Sequence, residues 1–321
     1  MQPSENQILN CKWFIVSLQI SFINEEIKMS HKAGFVNIVG NPNVGKSTLT
    51  NALVGERLSI ITNKSQTTRH RIIGIVNEPD YQVVFSDTPG VLKPNYKLQE
   101  SMLKFSKSAL TDADVILYMT DVVETIDKNS EFLNAVKDQT VPILLVLNKI
   151  DLITQDKLDV LFDTWREILP QAEIFPLSAL HSFNVTNLMT RILELIPVSP
   201  PYFDKDQLTD KPERFFVSEI VREKILLYYQ KEIPYSVEVE VEEFLDQGDR
   251  VDIRCVIHVA RDSQKGIIIG HKGEALKKVG TEARIDIEKF LDKKVFLTTF
   301  VKVTKDWRDK DNMLSRFGYD E

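Results

Sequence analysis

At 321 residues, 43% hydrophobic and 27% charged, the chain is long enough for about two domains and has the balance of an ordinary globular protein. Its net charge of −7 argues against a protein that coats nucleic acid indiscriminately, yet leaves room for a local basic face. Two distant cysteines, Cys11 and Cys255, and five histidines without ligand spacing argue against a disulfide framework or a metal centre built on them.

Residues 1–30 read as a non-globular extension. The apolar run 13–23 is too short to span a bilayer and lacks the basic start and cleavage site of a signal peptide. Met29 stands just before the globular pattern, so the natural start is expected near it.

From 31 to 197, apolar strand-like runs alternate with helical spacing. A buried strand at 35–39 leads into Gly40-Asn41-Pro42-Asn43-Val44-Gly45-Lys46-Ser47, and a helix pattern runs from 47 to 53. The octapeptide has the form of a phosphate-binding loop. Its two glycines let the backbone curl so that N–H groups point at phosphate oxygens. The Lys46 ammonium reaches the outer phosphates and the Ser47 hydroxyl ligates magnesium. Asn41, Asn43, Val44 and Thr48 complete the stretch expected to wrap the phosphates.

Gln66-Thr67-Thr68-Arg69-His70 follows. A threonine here closes onto magnesium only when a γ-phosphate is present, which makes it a switch. Thr68 is the first candidate and Thr67 the second; the bland reading is β-formers in an edge strand. After a strand at 81–85 comes Asp87-Thr88-Pro89-Gly90, whose aspartate would hold magnesium through water while the Gly90 N–H meets the γ-phosphate. The next residue, Val91, has no hydrogen-bonding group with which to orient a water. Hydrolysis must then lean on positioning and on charge neutralisation by Lys46, Thr68, Gly90 and magnesium.

Further strands at 115–119 and 142–147, with helices at 98–110, 129–137 and 158–169, imply a mostly parallel sheet covered on both faces. Asn148-Lys149-Ile150-Asp151 ends the most apolar strand. A fixed Asp151 carboxylate accepts hydrogen bonds from guanine N1–H and N2, donors that adenine lacks, and Lys149 lies over the base. Ser178-Ala179-Leu180, after a strand at 173–177, would offer backbone N–H groups to guanine O6.

Four prolines between 197 and 212 mark 198–212 as a linker. A second, smaller α+β module occupies 213–310: a helix (218–229), strands at 236–242 and 250–260, a long helix (274–291) and a strand (294–303), with a tail at 311–321. Gly270-His271-Lys272-Gly273 precedes the long helix. Lacking Cβ atoms, the two glycines would let a sugar-phosphate backbone approach, as in a KH loop that clamps single-stranded RNA. Residues 261–310 carry 13 Lys and Arg against 8 Asp and Glu, a basic face on an acidic chain. Lys265, His271, Lys272, Lys277 and Lys278 are the candidate contacts. Residues 267–269 read mainly as core, and Trp307 and Arg308 either stack on bases or pack the tail.

The ordered set GNPNVGKS, QTTRH, DTPG, NKID and SAL resembles the translation-factor-related GTPases, and more narrowly the Era family. Pro212-Glu213-Arg214-Phe215, Glu219-Ile220-Val221-Arg222-Glu223-Lys224 and the C-terminal module extend the likeness over about 31–310; the leader and a short acidic tail depart from it. The resemblance implies an α/β P-loop GTPase domain followed by a type II KH domain, in a monomer that converts GTP to GDP and phosphate with Mg2+. It also implies a role in 30S small-subunit assembly through the 3′ region of 16S ribosomal RNA. Localisation would be cytoplasmic, with peripheral inner-membrane association a trait of the family. Asn43 is a candidate K+ ligand, because related enzymes with asparagine here hold that ion beside the phosphates. Two alternatives stay open: a GTPase of tRNA modification or membrane signalling whose C-terminal module docks protein, and an RNA chaperone that only senses nucleotide.

Overall fold

A computed structural model describes residues 31–124 and 129–320; the expectations for the leader, including a start near Met29, fall outside them. Six strands form the first sheet: β1 (Lys32–Gly40), β2 (Ile72–Asn77), β3 (Tyr81–Asp87), β4 (Val115–Asp121), β5 (Ile143–Asn148) and β6 (Glu173–Pro176), in the order β2-β3-β1-β4-β5-β6. Every pairing is parallel except β2 with β3. β4 and β5 are buried along their whole length, because helices cover both faces of the sheet. Strand alternation divides the apolar residues between two cores. Ile38, Leu117 and Leu144 face α1 (Lys46–Val54) and α5 (Val185–Leu195). Val39, Ile116 and Leu145 face α2 (Lys97–Thr111), α3 (Ser130–Lys137) and α4 (Gln155–Ile168). The loops that leave the carboxyl ends of β1, β3, β5 and β6 therefore converge at one rim, where open α/β sheets bind ligands.

Residues 198–212 are pinned rather than loose. Gln82 accepts from the N–H groups of Tyr202 and Phe203, Ile75 N–H donates to Leu208 O at 2.8 Å, and Gly74 bridges Thr209. The strip covers the exposed edge of β2, which would otherwise offer unpaired backbone groups.

The C-terminal part contains α6 (Glu213–Tyr228), a helical turn (Ile233–Ser236), β7 (Val237–Asp246), β8 (Arg250–Val259), α7 (Asp262–Ile269), α8 (Glu274–Leu291), β9 (Lys294–Val303) and α9 (Asp311–Arg316). β7 and β8 are antiparallel, β8 and β9 parallel, and the helices pack on one face around Val221, Ile225, Ile257, Val279 and Ile287. The sequence pattern lacked α7. Eight residues with an internal Gly266 carry too little periodicity to be recognised, and of residues 267–269 only Ile268 is fully buried while Ile267 faces solvent.

The two parts share a third core. Leu98, Met102 and Phe105 of α2 pack against Ala260, Trp307, Leu314 and Tyr319. Trp307 has no exposed surface and its indole N–H donates to Ser236 O at 3.0 Å, so its packing role prevails over base stacking. Arg308 stacks on Tyr96, with 4.5 Å from its guanidinium carbon to the ring centroid. Trp307→Ala is expected to destabilise the protein by about 3–5 kcal/mol, the usual cost of emptying a buried aromatic site. Denaturant unfolding followed by tryptophan-independent far-UV signal checks it.

Candidate nucleotide and nucleic-acid sites

The phosphate loop bends at two positive-φ glycines, Gly40 (φ 147°) and Gly45 (φ 104°). A Cβ at Gly40 would lie 2.1 Å from Met119 O and one at Gly45 2.3 Å from the Asn148 amide, so the loop's path depends on both. Lys46, at the start of α1, folds back across the loop and donates to Gly40 O (3.0 Å) and Asn41 O (2.8 Å). Its burial lowers the ammonium pKa to about 8, despite the nearby Asp87 carboxylate.

Ser47, Thr68 and Asp87 arrive from three segments and meet. Ser47 Oγ donates to Asp87 Oδ2 at 2.7 Å and lies 2.8 Å from Thr68 Oγ1. Burial pushes the Asp87 carboxyl above the usual carboxylate range, and its Oδ1 is buried without a hydrogen-bond partner. Hard oxygen donors, one of them an unpaired anionic atom, fit a magnesium ion and its water shell. Gly90 rests on Pro42, where a Cβ would come within 2.6 Å of Pro42 Cα. Val91 is buried in the core with its N–H on Gly40 O, so it contributes nothing to a water above the phosphates.

The base end is tied to the phosphate end by Asn148. Its amide donates to Val44 O at 2.7 Å and its oxygen accepts from Ala179 N–H at 2.9 Å. Lys149 donates to Asn43 O (2.7 Å) and to Asp121 (2.5 Å). The Asp151 carboxyl is held below its usual range, chiefly by the Ser178 hydroxyl. Of the three N–H groups expected to face the base, Ser178 donates to Phe183 O and Ala179 to Asn148, which leaves that of Leu180. Asn43, at φ 65°, reaches Asn63 O with its side-chain amide. Asn43, Asn148, Lys149, Asp151, Ser178 and Leu180, with Lys46, Ser47 and residues 60–64 and 66–68, line a cleft of about 490 Å³. Sequence reasoning missed Asp121 and Asn129. Asp121 lies beside Asn148 in the register of β4 and β5 and so could have been found from the strand ends. Asn129 bonds Asn41 Oδ1 and Val91 O, contacts that no local pattern announces.

At the other end, Gly270 (φ 70°) and Gly273 (φ 81°) frame a turn between α7 and α8. A Cβ at Gly270 would lie 2.6 Å from Ala275 Cβ, whereas Gly273 opens onto free space at the N-terminus of α8. His271, Lys272 and Lys277 are exposed, Lys265 is half-buried, and Lys278 lies 4.0 Å from the Tyr228 ring centroid. A bare helix N-terminus flanked by lysines suits a phosphodiester.

Residues 35–149 match the family described as 50S ribosome-binding GTPase, and residues 232–308 match the KH domain. The chain is 44% identical over 293 residues to GTPase Era of Staphylococcus haemolyticus, covering 91% of this chain and 98% of that one. The chain belongs to the Era family of GTPases. Two solved structures align with a TM-score of 0.87. One is Era in complex with MgGDPNP and nucleotides 1506–1542 of 16S ribosomal RNA, at 40% identity over 91% of this chain and 100% of that one. The other is a variant of Aquifex aeolicus Era bound to GDP·AlF4−, at 39% identity over 90% of this chain and 100% of that one.

The Lys46 ammonium must be protonated to meet an anionic phosphate, and phosphate raises its pKa. Binding thus takes up a proton wherever the free group is neutral. With a free pKa of about 8, guanine-nucleotide affinity should be about tenfold lower at pH 9 than at pH 7. Equilibrium titration with a fluorescent GDP across that range measures it, and a flat profile would contradict the assignment.

Proposed function

We propose that this GTPase binds the 3′ region of 16S ribosomal RNA through its KH module and uses GTP hydrolysis to time its part in 30S subunit assembly. The observation that carries this reading is that a guanine cleft and an exposed G-x-x-G loop belong to one body, joined by the core around Trp307. The Era relative solved with a 16S RNA fragment supports the choice of RNA.

In this reading Gly40, Asn41, Asn43, Val44, Gly45, Lys46, Ser47 and Thr48 wrap the phosphates, and Asn148, Lys149, Asp151 and the Leu180 N–H, within the 178–180 loop, select guanine. Ser47, Thr68 and Asp87 would hold magnesium, whose positive charge would offset the negative charge that develops on the phosphates. Lys46 leaves the Gly40 and Asn41 carbonyls for the outer phosphates, and the Gly90 N–H donates to the γ-phosphate. Nothing at Val91 orients the attacking water, so intrinsic turnover is slow and depends on order in residues 61–70. Asn43 and Asn63 O form the candidate K+ position; GTPase rates should be higher in potassium than in sodium, and equal rates would remove that role.

Lys265, Gly270, His271, Lys272, Gly273 and Lys277 carry the RNA contact. We place the protein in the cytoplasm, working as a monomer on the small subunit. Peripheral association with the inner membrane belongs to the same reading; no helix of the described residues is long and apolar enough to cross a membrane. Gly270→Asp with Gly273→Asp puts two carboxylates where phosphates are to sit. Crosslinking to 16S RNA should fall at least about tenfold, and GTP affinity should hold. Unchanged crosslinking would move RNA recognition elsewhere.

A further inference from the structure

Residues 61–64 and 66–68 line one wall of the nucleotide cleft, and the opposite side of this segment is held by the C-terminal part. Two consecutive residues of α6 do this. Glu223 accepts from Ile61 N–H at 3.4 Å and from Arg57 at 2.5 Å. Arg222 donates to Thr67 O, the carbonyl of the peptide that leads into Thr68. Between these anchors the segment is stiffened from within: the Thr62 and Thr67 hydroxyls lie 2.6 Å apart, and Thr67 Oγ1 donates to Lys64 O at 2.7 Å. Beyond Thr68, Arg69 donates to Val237 O and Pro234 O, and His70 stacks on Tyr319.

Arg222 itself has little freedom. Its side chain is 1% exposed, and Glu219 on the same helix receives Nε at 2.7 Å and Nη2 at 2.5 Å. Its Nη1 is buried without a hydrogen-bond partner among the described residues. The contact it does make is one peptide away from the hydroxyl that meets Ser47.

We propose that Arg222 is a positioning residue for GTP hydrolysis: by fixing the Thr67 carbonyl it sets the Thr68 hydroxyl at the magnesium position, so that the RNA-binding part completes the GTPase site. This rests on the reading of Thr68 as a magnesium ligand in the triphosphate state. GDP has no γ-phosphate to close on, so loss of Arg222 weakens triphosphate binding and spares GDP.

The test uses the full chain with Arg222→Gln, and with Glu219→Gln/Arg222→Gln, which removes the pair without stranding a buried carboxylate. Thr68→Ala runs in parallel. Binding of a non-hydrolysable GTP analogue and of GDP is measured by titration, with the magnesium concentration needed for half-maximal analogue binding and the GTPase kcat. The expected result is about tenfold weaker analogue binding, a similar rise in the magnesium requirement and a similar fall in kcat, with GDP affinity within about twofold. Thr68→Ala should show the same pattern, and adding Arg222→Gln to it should change nothing further. Equal weakening of GDP and analogue in the double variant would make Arg222 merely structural and overturn the proposal. So would wild-type values there while Thr68→Ala loses analogue selectively. If Thr68→Ala keeps full analogue affinity, the magnesium reading of Thr68 itself falls, and the proposal with it.

Discussion

Four charges with almost no exposed surface, Arg69, Arg222, Glu219 and Glu238, sit where the two halves of the molecule meet. Arg69 comes from the nucleotide-binding half and bonds Glu238 at 2.9 Å; Arg222 and Glu219 pair within α6; Tyr319 donates to Glu238 at 2.7 Å. Taking such groups from water costs several kcal/mol each, and stranding one of them costs about 3–5 kcal/mol. Each pair is neutral in itself, and the Arg69–Glu238 pair is the one that crosses between the halves. Relative movement of the halves must therefore keep Arg69 with Glu238 or admit water to both, which favours discrete arrangements over a continuum.

That constraint ties the loop beside the sheet's binding rim to the C-terminal half. Thr68 is flanked on one side by Thr67, whose carbonyl Arg222 holds, and on the other by Arg69 and His70, which are built into the second half. The segment 61–70 is not a flap over the cleft. It is a strip of interface from which the Thr68 hydroxyl reaches Ser47.

Much of the site was legible because its chemistry is local. Phosphate loops need glycine at fixed spacing, and Asp87, Asn148 and Ser178 stand at or just beyond the ends of strands that betray themselves by apolar runs. The borders of α8 and β9 were equally plain, since 18 and 10 residues give the periodicity room to show. What escaped was long-range. His70 and Phe317 are 247 positions apart, Arg69 and Glu238 169, and nothing near either member announces the other. The strip 198–212 looked like a free tether because its hydrogen bonds run to Gln82 and β2, not to itself. For Trp307 the sequence allows stacking or packing alike, and only the indole bond to Ser236 O decides between them.

Asn148 has a consequence of another kind. Its two bonds, to Val44 O and from Ala179 N–H, hold the curve of the phosphate loop and the height of the base loop with groups that belong to the protein, and Lys149 braces Asn43 in the same way. A cradle whose shape is fixed by its own framework loses little conformational entropy when a ligand enters. Recognition of the base and recognition of the phosphates are then parts of one rigid template, and a nucleotide with the wrong base is penalised along its whole length.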